Sequence, residues 1–111
     1  MERKSGQKKK QKTVGQKQKP ARLYREVTVW RPLDDRTLIR YRCLHILPDD
    51  KYYVKSSDFV HDPLEDKVSK DQERYYLESL FSGGLETSVE DVFDSLEEAI
   101  LKHEQDFEMS F

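Results

Sequence analysis

The side chains in this sequence with the chemistry to form a site fall into four groups. These are a cysteine with a histidine beside it, a run of lysines, two arginines among aromatic residues, and clustered carboxylates. Cys43 and His45 stand two positions apart. On a strand that spacing puts both on one face, about 6–7 Å apart along the chain. A thiolate and an imidazole so placed are half of a zinc site, with His61 or Asp62 as further ligands, or a nucleophile and its base. Zinc sites ordinarily show a second ligand pair at tight spacing, and the nucleophile reading needs a third group to orient the imidazole; the sequence offers neither. Cys43 therefore reads as a small buried hydrophobe, and neither metal nor cofactor is expected.

The lysines concentrate at the N-terminus. Residues 1–22 hold nine basic residues and one acidic one, a net charge of +8, whereas residues 23–111 hold eleven basic and 21 acidic residues, a net charge of −10. The overall −2 is the sum of two unlike parts. Lys8, Lys9, Lys10, Lys12, Lys17 and Lys19 suit contact with a polyanion, which needs charge density and no fixed geometry. Lys8–Lys12 also resembles a basic nuclear-import cluster. The plainer reading is a solubilising tail or an arm that docks on an acidic protein surface, its own domain included.

Arg40 and Arg42 alternate with apolar residues and would share one strand face with Leu38 and Leu44, leaving Ile39, Tyr41, Cys43 and His45 for the core. If Val27 and Val29 also point inward, Tyr24 and Trp30 join the two arginines on an exposed basic and aromatic face, the combination that single-strand nucleic-acid binders use. The alternative is ordinary cross-strand pairing, with Glu26 against an arginine and ring faces covered by arginine stems, and it is the favoured one. Among the carboxylates, Glu86, Glu90, Asp91, Glu97, Glu98 and Glu104 form an acidic helical side suited to a basic protein partner. They lack calcium-loop spacing. No phosphate-binding glycine loop occurs, since Gly83-Gly84 reads as a helix stop, and no carboxylate pair can be assigned acid–base work without a pocket. The protein is expected not to be an enzyme.

These side chains must be positioned by about 89 residues, enough for a single domain. All twelve Phe, Tyr and Trp residues fall there, while residues 1–22 carry only Met1, Val14 and Ala21 as apolar side chains. Residues 1–22 therefore read as a disordered arm, since nothing in them offsets the entropy of ordering. Leu23–Arg31, Thr37–Leu47 and Lys51–Phe59 read as strands, the first ended by Pro32, with connections short enough for an antiparallel meander. A helix is expected to start with Asp62 as N-cap, Pro63 at its first position and Glu65 closing a capping box. It would run to Phe81 with Tyr76, Leu77, Leu80 and Phe81 as its apolar stripe. Leu85–Phe93 reads as a short edge strand or a loop.

The last helix follows a capping box, Asp94 with Glu97 or Ser95 with Glu98. Leu96, Ala99, Ile100, His103 and Phe107 share one of its faces, and His103 reads as a half-buried packing residue. The expected fold is α+β: a three- or four-stranded antiparallel sheet with two helices packed on one face, preceded by the arm.

No apolar run approaches a membrane span, and the N-terminus lacks the apolar core of a secretory signal. With a single cysteine, the expectation is a soluble cytoplasmic protein. The leading functional expectation is a small non-catalytic interaction module that docks a protein partner on its acidic helical side. One alternative is a nucleic-acid-binding accessory protein using the arm and the arginine face. Another is an acidic inhibitor or immunity-type protein whose arm is dispensable.

Overall fold

A computed structural model describes residues 22–82, 84–85 and 91–109. Three strands, β1 (Tyr24–Asp34), β2 (Thr37–Ile46) and β3 (Lys51–His61), form an antiparallel meander in the order β1-β2-β3. Two helices follow, α1 (Asp66–Ser82) and α2 (Leu96–Asp106), so the fold is α+β as expected. The turn between β1 and β2 is set by Asp34, whose Oδ1 accepts the Arg36 backbone N–H at 2.9 Å. Such a side-chain-to-backbone bond supplies locally what a turn backbone otherwise lacks.

Pro32 was expected to end the first strand at Arg31; β1 instead continues to Asp34. The register explains this. The Leu47 N–H bonds the Leu23 carbonyl at 3.0 Å, and the β1–β2 partners continue as Tyr24 with Ile46 and onward to Pro32 with Leu38. Odd-numbered residues of β1 therefore bond to β2, and even-numbered ones turn their backbone groups to the open edge. Pro32, having no N–H to offer, falls on the open side, where a proline is tolerated in a strand.

The central strand dictates where the helices go. Ile39, Tyr41 and Cys43 project to one side of β2 and pack against Ile100 of α2, with Val27, Val29 and Val54 around them. Leu44 and Ile46, two residues apart on the other side, pack with Tyr53, Tyr24 and Leu80 of α1. Helices on one face alone, as the sequence suggested, would leave Leu44 and Ile46 in water. The two helices cover opposite faces, and β2 is buried continuously from Tyr41 to Ile46. The step in register comes from an extra residue, Lys55, between the pairs Arg42–Ser56 and Cys43–Val54.

The boundaries of α2 match its sequence signals. Ser95 is the N-cap, its hydroxyl accepting the Glu98 N–H at 3.1 Å, which selects Ser95 over Asp94. For α1 the expected cap is corrected. Residues 62–65 precede the helix, which begins at Asp66, and the first helical carbonyl is that of Glu65, bonded by the Ser69 N–H at 3.0 Å.

The expected apolar stripe of α1 is also only half used. Tyr76 is buried and Leu80 half-buried, but Leu77 and Phe81 are exposed. At about 100° per residue, Leu77 and Phe81 lie on the flank of the helix, beyond the reach of a three-stranded sheet. Phe93 forms one antiparallel bridge with Tyr52; residues 86–90 of the uncertain stretch lie outside the described residues. Among the described residues, no helix is long and apolar enough to cross a membrane.

Candidate functional site

The two arginines of β2 are committed beneath α1. Asp58 accepts from Arg40 Nη2 at 3.1 Å and from Arg42 Nε at 3.2 Å. Arg40 also donates to Gln72 Oε1 at 3.2 Å, and Arg42 to Glu73 Oε1 at 2.9 Å. The Arg42 guanidinium lies 4.4 Å from the Tyr76 ring centroid, and Tyr76 Oη donates to Glu26 Oε2 at 2.9 Å. Burial together with the Glu26 carboxylate holds that phenol protonated well above its ordinary range. Desolvated guanidinium groups are stable only when so paired. The exposed basic sheet face considered for nucleic acid is therefore corrected: it is the interface between sheet and helix. Glu26, considered as an arginine partner, serves the tyrosine instead. The lysines Lys8, Lys9, Lys10, Lys12, Lys17 and Lys19 lie outside the described residues.

Cys43 is buried with its neighbours, and desolvation pushes its thiol up to about 12. His45 faces a different environment from the thiol. Arg25 Nη2 lies 2.8 Å from His45 Nδ1, and Asp50 Oδ1 lies 2.7 Å from Nε2. Because a guanidinium only donates, Nδ1 accepts and Nε2 carries the proton that Asp50 receives as a hydrogen bond. The ring also stacks on Tyr52, with centroids 4.3 Å apart. Both nitrogens are thus occupied, and neither points at the sulfur. His61 is bonded to Thr37. Among the described residues, no group of three or more His, Cys, Asp or Glu side chains is placed to hold a metal ion.

A pairing not foreseen from sequence joins Ser57 Oγ to His103 Nε2 at 3.1 Å. Burial holds the imidazole below its ordinary range, against the opposing pull of Asp106 and Glu104. A neutral imidazole beside a hydroxyl has the reach of a base to its nucleophile. Among the described residues, however, no hydrogen bond orients the other nitrogen of His103. Its ring neighbours are Tyr41, set perpendicular to it, and Phe107, so the ring serves packing.

The acidic side is smaller than the sequence implied. Glu97 and Glu98 are exposed in the first turn of α2, where their charge also suits the helix dipole, and Asp91 is exposed before it. Glu86 and Glu90 lie outside the described residues. Glu104 is corrected: it is buried, accepting the Tyr41 hydroxyl and, at 2.8 Å, the Arg31 Nε–H. This carboxylate ties α2 to the sheet and is not a docking group.

The feature that sequence reasoning missed lies at the hairpin end of the sheet. Trp30, Leu38, Val60 and Leu64 wall an open cavity of about 390 Å³. Asp34, Asp35 and Asp62 line it as well, against one cation, Arg36. The bond from the Arg36 N–H holds the Asp34 carboxyl below the usual carboxylate range, so it stays charged. Arg40 covers one side of the Trp30 ring at 5.7 Å from its centroid, and the residue remains 46% exposed. A smaller apolar hollow, lined by Phe59, Leu64 and Val68, adjoins across Leu64. The available signal was Leu64 itself, an apolar residue after Pro63 in a charged stretch, with Val68 four positions on.

Comparison with known proteins brings no match: no family model, no curated protein and no solved structure is similar to the chain.

Proposed function

We propose that the protein is a small non-catalytic interaction module of the cytoplasm that docks a protein partner. One observation carries the reading. Twelve large apolar residues are exposed among the described residues, Phe81 at 88% and Tyr75 at 69%, while nine hydrophobic residues are buried. Single exposed apolar side chains are ordinary, but here they recur along the outer flanks of α1 and α2 and at the hairpin, as on surfaces that meet another protein. Carboxylates lie between them, Glu97 and Glu98 on α2 and Asp34, Asp35 and Asp62 at the hairpin, favouring a partner of basic character. The nucleic-acid alternative keeps the N-terminal lysines as its support and loses Arg40 and Arg42.

The test is co-purification of the tagged full chain from its own cells, beside a variant with Tyr75, Phe81 and Phe107 replaced by serine. A stoichiometric protein partner held by the parent and lost by the folded variant is the expected result. Recovery of no partner by the parent overturns the reading, whereas equal recovery by both removes only these three residues from the docking surface.

A further inference from the structure

We propose that the hairpin-end cavity is the docking site for a basic peptide segment of a partner chain, with an aliphatic or aromatic side chain of that segment seated between Trp30 and Leu64. This deepens the interaction reading and rests on it. Three observations converge.

The walls supply an anchor pocket. Trp30, Leu38, Val60 and Leu64 come from all three strands and from the loop before α1, so the pocket is preformed by elements that hold one another. Trp30 and Leu64 are 46% and 67% exposed, which a seated apolar side chain would relieve. Apolar anchors inside a polar ring are where interfaces concentrate their binding energy.

The rim selects charge. Asp34, Asp35 and Asp62 outnumber Arg36, and Glu65 adds a fourth carboxylate beside the adjoining hollow. Such a mouth repels phosphates and steers lysine or arginine towards it. A polyanion is thereby disfavoured at this place, whatever the arm does elsewhere.

The cavity also lies far from the point where residues 1–21 join the described chain. Arg22, where the described chain begins, is ion-paired with Asp49 at the opposite end of β1. The eleven residues of β1 span about 35 Å at ~3.3 Å per residue, so residues 1–21 would have to return that distance. Asp49, Asp50 and Asp94 stand exposed near their point of attachment and would meet them first.

Trp30 is the only tryptophan, so its emission reports directly on the cavity. The experiment titrates the full chain with a tryptophan-free octapeptide, Lys-Lys-Leu-Lys-Lys-Leu-Lys-Lys. The controls are the same peptide with serine for leucine and with glutamate for lysine. The expected result is a saturable blue shift with the first peptide alone. It should weaken at least about tenfold in Leu64→Ser, an exposed position outside the core. In the Asp35→Lys, Glu65→Lys double variant the loss should be similar at low salt and shrink as salt rises. Circular dichroism verifies that each variant is folded.

Equal binding of the serine peptide, indifference of Leu64→Ser, or no saturable shift overturns the proposal. It is also overturned if replacing Lys8, Lys9 and Lys10 by glutamine shifts Trp30 emission without any peptide, since the chain's own arm would then be the occupant. A cellular partner retained by Leu64→Ser but lost with the serine variant of Tyr75, Phe81 and Phe107 refutes this site and leaves the interaction reading standing. Loss of the interaction reading shows instead as the absence of any partner.

Discussion

Glu104 is the residue whose role changed most between sequence and structure. It sits on α2 among charged neighbours, and its spacing alone makes it one more carboxylate of a solvated face. In the fold it accepts the hydroxyl of Tyr41, a residue only 1% exposed, and the guanidinium of Arg31. Truncating it would remove the acceptor of a buried hydroxyl, which costs about 1–3 kcal/mol. Glu104→Ala should therefore lower stability by that amount in chemical denaturation, and adding Tyr41→Phe should restore part of the loss, a non-additivity that marks direct coupling.

His103 gives a pH signature at the same scale. Burial holds its folded pKa below the ordinary 6.5. The unfolded chain then binds more protons than the folded one just below pH 6.5, so stability falls as the pH drops from that value towards the folded pKa and levels off beneath it. His103→Gln should flatten this segment of the stability profile measured by urea titration. Cys43, with its thiol at about 12, should react with a disulfide reagent at pH 8 at least about 10³-fold more slowly in the folded chain than in denaturant.

The elements differ in how firmly they are held. α2 buries Ala99, Ile100 and Glu104 in eleven residues and is capped by Ser95, whereas α1 buries Tyr76 alone in seventeen. Its attachment is largely polar, through Gln72 to Arg40, Glu73 to Arg42 and the Tyr76 ring against the Arg42 guanidinium. Native-state hydrogen exchange should thus show α1 opening at lower free energy than α2, and both well before the middle of β2. Protection in α1 equal to that in β2 would contradict this. The three strands and α2 were readable because alternation, turn residues and an N-terminal cap all act locally. The placement of α1 was not. Its contact face is polar, Gln72 and Glu73 meeting Arg40 and Arg42, and an apolar pattern carries no record of a helix held by buried charge. Leu44 and Ile46 held the missing clue, since apolar residues at even positions of β2 require cover on a second face. Pro32 misled in the same way, because whether a proline ends a strand depends on which edge its nitrogen faces.

At the scale of the whole molecule, the negative net charge lies in residues 23–111, at −10. The described residues use their buried cations, Arg40 and Arg42, within their own ion pairs, so any contact with a polyanion would fall to residues 1–22, whose net charge is +8. If about five of those charges meet phosphates of a single strand, the logarithm of the binding constant falls with the logarithm of salt at a slope of about −3.5. Arg40→Gln should leave that slope unchanged, because the arginine faces Asp58 and Gln72 beneath α1. Replacing Lys8, Lys9 and Lys10 by glutamine should reduce it to about −1.4, as each lost phosphate contact removes ~0.7. Fluorescence anisotropy with a labelled oligothymidylate across a salt series measures all three slopes. A slope that responds to Arg40→Gln would mean that α1 leaves the sheet when the polyanion binds, exposing the arginine face; an unchanged slope keeps polyanion contact in the N-terminal segment and leaves the acidic cavity at the hairpin to a basic partner.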